Sequence, residues 1–151
     1  MIPLFSLRAA TAADALWIAE LRAVVLREDL ERLGRYDSVR VRQRFLDGFD
    51  AELTQLILVD GEVVGSIAVR PARDVQWIEH FYLDPAWQGK GLGGAVLSES
   101  MRRHADERPF RLNVLAGSPA QRLYLRHGFT IESQDPVDVF MVASGGVKQG
   151  L

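Results

Sequence analysis

The sequence predicts one α/β domain in which helices alternate with strands along 151 residues. Apolar residues recur at helical spacing in some segments and form short β-rich runs in others. Asp60-Gly61 separates two such runs, and this dipeptide is a strong hairpin signal because both turn positions need positive φ. A chain of this length lies within the usual size range of a single domain.

The first elements are predicted to be a strand at 5–9 and a helix that starts at the capping-box pair Thr11 and Asp14. A polar stretch at 27–37 is predicted to interrupt the helical pattern around Gly34. Before it, Trp17 or Ile18, then Leu21, and then Val24 or Val25 recur at helical spacing and form the apolar stripe of the helix.

Three more helices are predicted, which end near Asp50, near Arg103 and at Gly128. The strands are expected at 54–59, 63–69, 75–83, 110–115, 129–133 and 137–142, the last two as an antiparallel pair. The segment 144–151 has three glycines and few anchoring side chains, so we expect it to be a flexible tail of a single domain spanning 1–151.

Composition excludes several classes of protein. With 48% hydrophobic residues and a net charge of −2, the chain is predicted to be neither disordered nor a bulk nucleic-acid binder. The absence of cysteine excludes disulfides, thiolate metal sites and a cysteine nucleophile. No apolar run approaches the ~20 residues of a membrane span. We therefore expect a cytoplasmic protein without a membrane partner.

The most informative segment is 84–94, because a glycine-rich loop follows an apolar strand and opens a helix. Glycines let the backbone approach an anion closely, and the first helical turn points unpaired N–H groups at it. We therefore predict a pyrophosphate site in this loop. Its residues are Gln88, Gly89, Lys90, Gly91, Leu92, Gly93 and Gly94.

Two other phosphate-binding motifs fit this loop less well. Its glycines also satisfy G-x-G-x-x-G, but five residues separate Leu83 from Gly89, and no acid follows at the spacing that dinucleotide binding requires. A Walker loop would have serine or threonine after Lys90 to hold magnesium, and this chain has glycine there.

A second segment, 118–129, predicts a short helix that is closed by glycine and leads into a strand. Gln88, Gly91 and Gly93 of the loop, with Tyr124 in the second segment, resemble the signature positions of the GNAT acetyltransferases. The order of elements over about 3–143 resembles the topology of that family.

The resemblance implies a mixed, mostly antiparallel central sheet that is splayed near the strand 75–83, with helices on both faces. It implies an N-acetyltransferase that moves an acetyl group from acetyl-CoA to a primary amine, by direct transfer in a ternary complex and without a metal. The acceptor would be a small molecule or a peptide amine, and the fold allows a homodimer.

The resemblance also implies roles for individual residues. Backbone N–H groups of Phe81, Tyr82 and Leu83 would contact the cosubstrate and stabilise the oxyanion. Tyr124 would protonate the leaving thiolate. Asn113 is a further candidate for contact with the pantetheine arm.

The base is left open between Glu79 and a proton path relayed by water. Alternation along the strand puts Glu79 among large apolar residues, where burial would raise the pKa of the carboxyl toward a useful value. His80 titrates near neutrality, but we expect it to be an ordinary, partly exposed strand residue.

The segment 27–37, which the resemblance places over the acceptor, has two interpretations. The acids Glu28, Asp29 and Glu31 could hold a cationic amine, or the interleaved charges could form a solvated helix face. Three arginines could instead recognise an acidic substrate or the 3′-phosphate of the coenzyme. They are Arg40, Arg42 and Arg44.

Two rival functions remain at this stage. One is a non-catalytic sensor or subunit that binds acyl-CoA with the same fold, and the other, weaker rival is a nucleotide-binding oxidoreductase. Glu79 together with Tyr124 favours the enzyme, whereas burial of Tyr124 away from the thioester would favour the sensor.

Overall fold

The structure is a computed structural model, and it describes residues 1–145. The strands are β1 (Ser6–Ala9), β2 (Thr54–Val59), β3 (Glu62–Pro71), β4 (Gln76–Leu83), β5 (Phe110–Leu115), β6 (Thr130–Gln134) and β7 (Asp138–Ala143). The helices are α1 (Ala15–Arg32), α2 (Ser38–Gly48), α3 (Leu92–Arg103) and α4 (Ala120–Arg126). Each predicted strand is present with bounds within two residues of the prediction.

The strands form one sheet in the order β1-β2-β3-β4-β5-β7-β6. The pairs β1–β2, β2–β3, β5–β7 and β6–β7 are antiparallel, and β4–β5 is parallel. The parallel ladder joins Gln76 to Phe110 and Trp77 to Arg111, whereas β5 pairs with β7 along its full length. A mixed, mostly antiparallel α/β fold is therefore confirmed.

The chain divides into two compact units. The first unit comprises Met1–Ala68 and His80–Leu92, and the second comprises Val69–Glu79 and the chain from Gly93 onward. Strand β4 therefore begins in the second unit and ends in the first. Helix α3 begins with Leu92 in the first unit and continues in the second.

The first unit is organised around a cluster of buried side chains. Asp60 and Gly61 join β2 to β3 with φ values of 52° and 78°, as the hairpin prediction requires. The apolar stripe of α1 is formed by Ile18 and Leu21, which are buried, and by Val25, which packs against the cluster, whereas the alternatives Trp17 and Val24 are exposed. The cluster consists of Ala10, Ile18, Ala19, Leu21, Phe45, Leu56 and Tyr82.

Helix α1 continues through residues that were predicted to interrupt it. It runs to Arg32, and Gly34, at φ 71°, follows its end. The N–H of Gly34 donates to the carbonyl of Glu31, and the N–H of Arg35 donates to that of Leu30 at 2.8 Å. This pair of bonds is a Schellman termination, so the position of the stop at Gly34 was right and the earlier interruption was wrong.

The second unit contains most of α3, all of α4 and the strands β5 to β7. A Cβ on Gly145 would lie 2.4 Å from the carbonyl oxygen of Glu107, so Gly145 lies close to the backbone of that residue, and the flexibility of the tail stays a prediction. The rest of the predicted tail, 146–151, lies outside the described residues. Buried side chains of this unit include Val96, Leu97, Phe110, Leu112, Phe129 and Met141.

Two kinds of feature are not found in residues 1–145. No helix in this range combines the length and the apolar character that a bilayer span requires. Nor does the range contain a group of three or more histidine, aspartate or glutamate side chains arranged to hold a metal ion.

Candidate functional site

The predicted anion-binding loop leaves β4 through a turn that is fixed by hydrogen bonds. The backbone N–H of Asp84 donates to the carbonyl of Val64 at 2.8 Å, and Oδ1 of Asp84 accepts from the N–H of Ala86 at 2.9 Å. Nε2 of Gln88 donates to the carbonyl of Leu83 at 2.9 Å. Gln88 therefore ties the loop back to the end of the strand.

Gly89 and Gly91 determine the path of the loop, because their φ values of 76° and 80° favour glycine. Among the described residues, no heavy atom lies within 4 Å of a Cβ placed on Gly89, whereas Cγ1 of Ile2 lies 3.0 Å from a Cβ placed on Gly91. Lys90 is exposed between them, and Leu92 is fully buried at the start of α3. The loop thus offers exposed backbone directly before a helix N-terminus.

Gly94, in the first turn of α3, packs against the imidazole of His127. A Cβ on Gly94 would lie 2.9 Å from Cε1 and 3.1 Å from Nε2 of the ring. Nδ1 of His127 lies 2.8 Å from the carbonyl oxygen of Leu123, which holds the ring in place. Close packing against His127 therefore explains why glycine, which has no side chain, occupies position 94. Its contact with the coenzyme, like that of Gly93, stays a prediction.

Tyr124, the predicted proton donor, is buried with 8% of its surface exposed. Its ring packs edge-on against Phe129, with centroids 5.7 Å apart. Its backbone carbonyl accepts hydrogen bonds from the N–H groups of His127 and Phe129. The structure thus fixes the position of Tyr124 by packing, and its chemical role stays a prediction.

Asn113 is exposed on β5, opposite Phe140 of β7. Its contact with the pantetheine arm stays a prediction.

Glu79 forms a two-point ion pair with Arg70, with oxygen–nitrogen distances of 2.9 and 3.0 Å. The guanidinium of Arg70 also lies 6.0 Å from the centroid of the Trp77 ring. Its hydrogen bonds to Glu79 raise the pKa of Arg70 above its ordinary value. The expected apolar isolation of Glu79 is therefore wrong, because a cation compensates its charge.

His80 departs from strand geometry. Its φ is 50°, in the left-handed region that residues other than glycine seldom adopt. Oγ of Ser66 donates to the carbonyl of His80 at 2.7 Å. The ring packs edge-on against Phe45, with centroids 4.9 Å apart, and Nδ1 lies 3.5 Å from Oη of Tyr82. Ile78 and Tyr82, which the sequence placed on one face of the strand, are both buried, and the alternation stops at Leu83, which is buried beside Tyr82.

Three successive residues of β3 hold the end of β4. Besides the bonds made by Val64 and Ser66, a Cβ on Gly65 would lie 2.3 Å from the carbonyl oxygen of Tyr82. Only glycine at this position allows the two backbones to approach so closely. The oxyanion role of the N–H groups at 81–83 stays a prediction, but their position is firmly determined.

The acidic residues of α1 are largely paired within the helix. Oδ1 of Asp29 lies 2.8 Å from Arg32, and Oε2 of Glu31 lies 3.4 Å from Arg27. Glu28 is exposed. These contacts favour the interpretation of this segment as a solvated helix face, and the substrate role of the three acids stays a prediction.

Arg42 is engaged with α1 rather than available to an anion. Its Nε and Nη2 contact the carboxylate of Glu20 at 2.6 and 3.0 Å, and its Nη1 donates to the carbonyl of Ser38. The hydrogen bonds from Arg42 hold the pKa of Glu20 below its ordinary value. Arg40 and Arg44 are exposed on α2.

Comparison with known proteins gives a family for this part of the chain. Residues 52–131 match the family model described as an acetyltransferase (GNAT) domain. The match covers just over half of the 151 residues and includes the glycine-rich loop and Tyr124. Among curated proteins, no sequence matches this chain.

Several solved structures have folds similar to that of this chain. PaiA N-acetyltransferase from Thermoplasma acidophilum, solved with coenzyme A, is 17% identical with a TM-score of 0.72, covering 93% of this chain and 99% of that one. An N-acetyltransferase from Staphylococcus aureus Mu50 is 16% identical with a TM-score of 0.71, covering 91% and 100%. N-acetylglutamate synthase from Neisseria gonorrhoeae, solved with coenzyme A and L-arginine, is 17% identical with a TM-score of 0.65, covering 94% and 33%.

Proposed function

Because the chain belongs to the GNAT acetyltransferase domain family, we propose that it moves the acetyl group of acetyl-CoA to a primary amine by direct transfer in a ternary complex. The observation that carries this proposal is the exposed loop of Gly89, Lys90 and Gly91, with its two left-handed glycines, directly before α3. Backbone of this kind is suited to a pyrophosphate.

In this proposal, the residues of the loop have different roles in binding the coenzyme. The N–H groups of 89–91 and of the first turn of α3 would bind the pyrophosphate oxygens, and Lys90 would add a positive charge. Gln88 acts indirectly, because its side chain is bonded to the carbonyl of Leu83. Coenzyme A in two of the similar solved structures supports the choice of cosubstrate.

The chemistry follows from what an amine and a thioester require. The amine attacks the carbonyl carbon when its nitrogen is unprotonated, and negative charge develops on the carbonyl oxygen. We propose that backbone N–H groups at 81–83 stabilise that charge and that Tyr124 protonates the departing thiolate. For the acceptor we propose a primary amine of a small molecule or peptide.

The proposal is tested by measuring binding and turnover separately. Calorimetry with acetyl-CoA, and with NAD as a comparison, reports the cosubstrate. Release of free thiol reports transfer in a screen of polyamines, amino acids, aminoglycosides and peptides with free N-termini. We expect acetyl-CoA to bind, NAD not to bind, and at least one amine to release thiol. Preference for NAD would contradict the proposal.

A second candidate is an acyl-CoA-binding sensor or subunit without turnover. The observation that favours it is the 8% exposure of Tyr124, because burial of this residue away from the thioester is the arrangement expected of a sensor. Binding of acetyl-CoA without thiol release for every class of amine would support this candidate against the enzyme.

A further inference from the structure

Arg22 of α1 is a half-buried cation that makes one hydrogen bond within residues 1–145. Nη1 of its guanidinium donates to the carbonyl of Val41 on α2. Nε is buried and has no hydrogen-bond partner among the described residues. Nη2 also has no partner in this range and, unlike Nε, is not buried. Because buried polar groups are nearly always hydrogen-bonded, these unused donors require an explanation.

The neighbours of Arg22 on α1 supply no counter-charge. The positions three and four residues before and after it share its side of the helix, and all four are apolar. Two of them belong to the buried cluster of the first unit and two pack against that cluster. They are Ile18, Ala19, Val25 and Leu26. In such apolar surroundings a charge interacts more strongly with an opposite charge than it does in water.

The other arginines with contacts on this pair of helices have carboxylate partners. Arg42, which is also half-buried, holds the carboxylate of Glu20 at 2.6 and 3.0 Å. Arg27 and Arg32 are paired with acids of their own helix. Arg22 is therefore a half-buried arginine of α1 whose charge no described carboxylate compensates.

The unused part of the guanidinium has the geometry that binds carboxylates elsewhere in this chain. Nε and Nη2 form one edge of the group, and Arg42 and Arg70 use this edge for two-point contacts with Glu20 and Glu79. The distances in these two pairs range from 2.6 to 3.0 Å. In Arg22 the same edge has no described partner. A carboxylate with two oxygens is the group that fits it.

Contacts within the first unit connect Arg22 to the segment where acetyl transfer is proposed. Val41, whose carbonyl it contacts, is buried, and Phe45 follows one turn later on α2. Phe45 and Tyr82 belong to the same buried cluster as two helix neighbours of Arg22. Tyr82 lies within 81–83, whose N–H groups are the proposed oxyanion donors. Arg22 is thus positioned beside the packing that supports this segment.

We propose that Arg22 binds the carboxylate of the acceptor, so that the acceptor is an amino acid or another amine that carries a carboxylate. This proposal rests on the acetyl transfer proposed above and names the class of its acceptor. Nη2, which solvent reaches, makes the first contact, and Nε lies on the same edge of the guanidinium. Binding of the carboxylate would supply the missing counter-charge and orient the amine.

The test compares amino acids with their primary amides as acceptors, using alanine, glutamate and lysine. The amide keeps the amine and the side chain but loses the negative charge of the α-carboxylate. Its amine is the less basic of the two, so a preference for the acid does not reflect a larger fraction of free amine. We expect kcat/KM from thiol release to be ~10–10²-fold higher for the acid of the best pair. Equal or better use of the amide in every pair would overturn the proposal.

Arg22→Gln removes the charge and keeps a hydrogen-bond donor. We expect it to reduce the ratio of kcat/KM for acid and amide to about one, mainly by raising KM for the acid, while acetyl-CoA affinity stays within about threefold. The ratio compares two substrates of one variant, so a purely structural role for Arg22 would leave it unchanged. Arg22→Lys keeps the charge without the planar fork, and its ratio should be intermediate. It carries the test if the glutamine variant does not fold.

Two further variants serve as comparisons. Arg27→Gln is the matched control on the same helix, because Arg27 already has Glu31 as a partner, and it should keep the wild-type ratio. Arg42→Gln examines the other half-buried arginine and should also keep the ratio. A ratio that falls with Arg42→Gln but not with Arg22→Gln would assign the carboxylate to Arg42 and overturn the proposal.

Inhibition kinetics distinguish an acceptor carboxylate from a separate carboxylate effector. The probes are propionate and glutarate, which match alanine and glutamate but have no amine. Competitive inhibition against the corresponding amino acid would support the acceptor site. Activation, noncompetitive inhibition, or no inhibition at concentrations well above the KM of the amino acid would overturn it.

The outcomes separate this proposal from the proposed function. If amides and neutral amines are acetylated as well as amino acids, acetyl transfer stands and the role of Arg22 is wrong. If no amine releases thiol, the proposed function fails, and calorimetry with the three amino acids at saturating coenzyme A tests Arg22 by itself. Binding that is lost in Arg22→Gln would support the carboxylate site, whereas equal binding by both proteins, or none by the wild type, would overturn it.

Discussion

The imidazole of His127 occupies the space that a side chain on Gly94 would need, with Cε1 only 2.9 Å from the position of a Cβ. The ring cannot easily yield, because Nδ1 lies 2.8 Å from the carbonyl oxygen of Leu123. This contact joins the first turn of α3 to the end of α4 within the second unit. The two signature segments of the sequence therefore touch through a glycine and a histidine.

We predict that Gly94→Ala lowers the free energy of unfolding by about 1–3 kcal/mol through overpacking. In the background of His127→Ala, the same substitution should be neutral or stabilising, because alanine favours a helix by ~1 kcal/mol over glycine. Denaturant unfolding of the four proteins gives the coupling energy. Stabilisation by Gly94→Ala alone would show that the ring moves freely aside.

Gly89 and Gly34 form a matched pair for testing the loop. Their φ values are 76° and 71°, and neither has a described heavy atom within 4 Å of its Cβ position. Alanine should therefore cost each about 1–2 kcal/mol of stability. We expect Gly89→Ala to weaken acetyl-CoA binding by about tenfold or more and Gly34→Ala by less than about twofold. If calorimetry shows that the two substitutions weaken acetyl-CoA binding equally, the proposed anion site at Gly89 is refuted.

Tyr124→Phe should lower kcat by ~10²-fold or more if the hydroxyl protonates the thiolate. The phenyl ring keeps the edge contact with Phe129, so acetyl-CoA affinity and fold should change little. Tyr36→Phe is the control, because Tyr36 lies beside Arg27 at 4.8 Å and phenylalanine preserves that ring contact. Steady-state thiol release by both variants is the measurement. A fully active Tyr124→Phe enzyme would show that water, rather than Tyr124, protonates the departing thiolate.

The ion pairs of Glu99 predict that the stability of the folded protein falls in acid. Hydrogen bonds from Arg102, and then from Arg103, lower the pKa of Glu99 from its ordinary 4.5 to about 2. Because the folded-state pKa is depressed, this stabilisation is complete above pH 4.5 and is lost as pH falls toward 2. Glu99→Gln should therefore flatten the fall of Tm in that window. Glu62→Gln, at the exposed start of β3, should leave it unchanged, and equal flattening by both would argue against a specific role for Glu99.

Local signals predicted much of the fold because their physical causes lie within a few residues. The turn at Asp60-Gly61 needs positive φ at both positions, and both have it. The capping box of Thr11 and Asp14 is present, although it opens a short 3₁₀ turn before α1. The stop at Gly34 likewise depends on one residue that tolerates left-handed backbone.

The features that sequence could not predict depend on partners distant along the chain. The helical continuation through 27–32 is supported by ion pairs of Arg27 and Arg32 with acids on the same face, which a polarity pattern alone interprets as a break. The pairing of Glu79 with Arg70 requires the packing of two strands to be known. Nothing local to His80 indicates its φ, which its surroundings impose through Ser66.

The end of β4 is sensitive to the number of residues before it. Ile78 and Tyr82 are buried on either side of His80, and Leu83 is buried next to Tyr82. Because the side-chain period of a strand is two, inserting or deleting one residue at His80 would exchange the faces of Phe81 to Leu83, whereas substituting His80 would not. Single-residue insertions and deletions at this position therefore act as a frame change for the strand end.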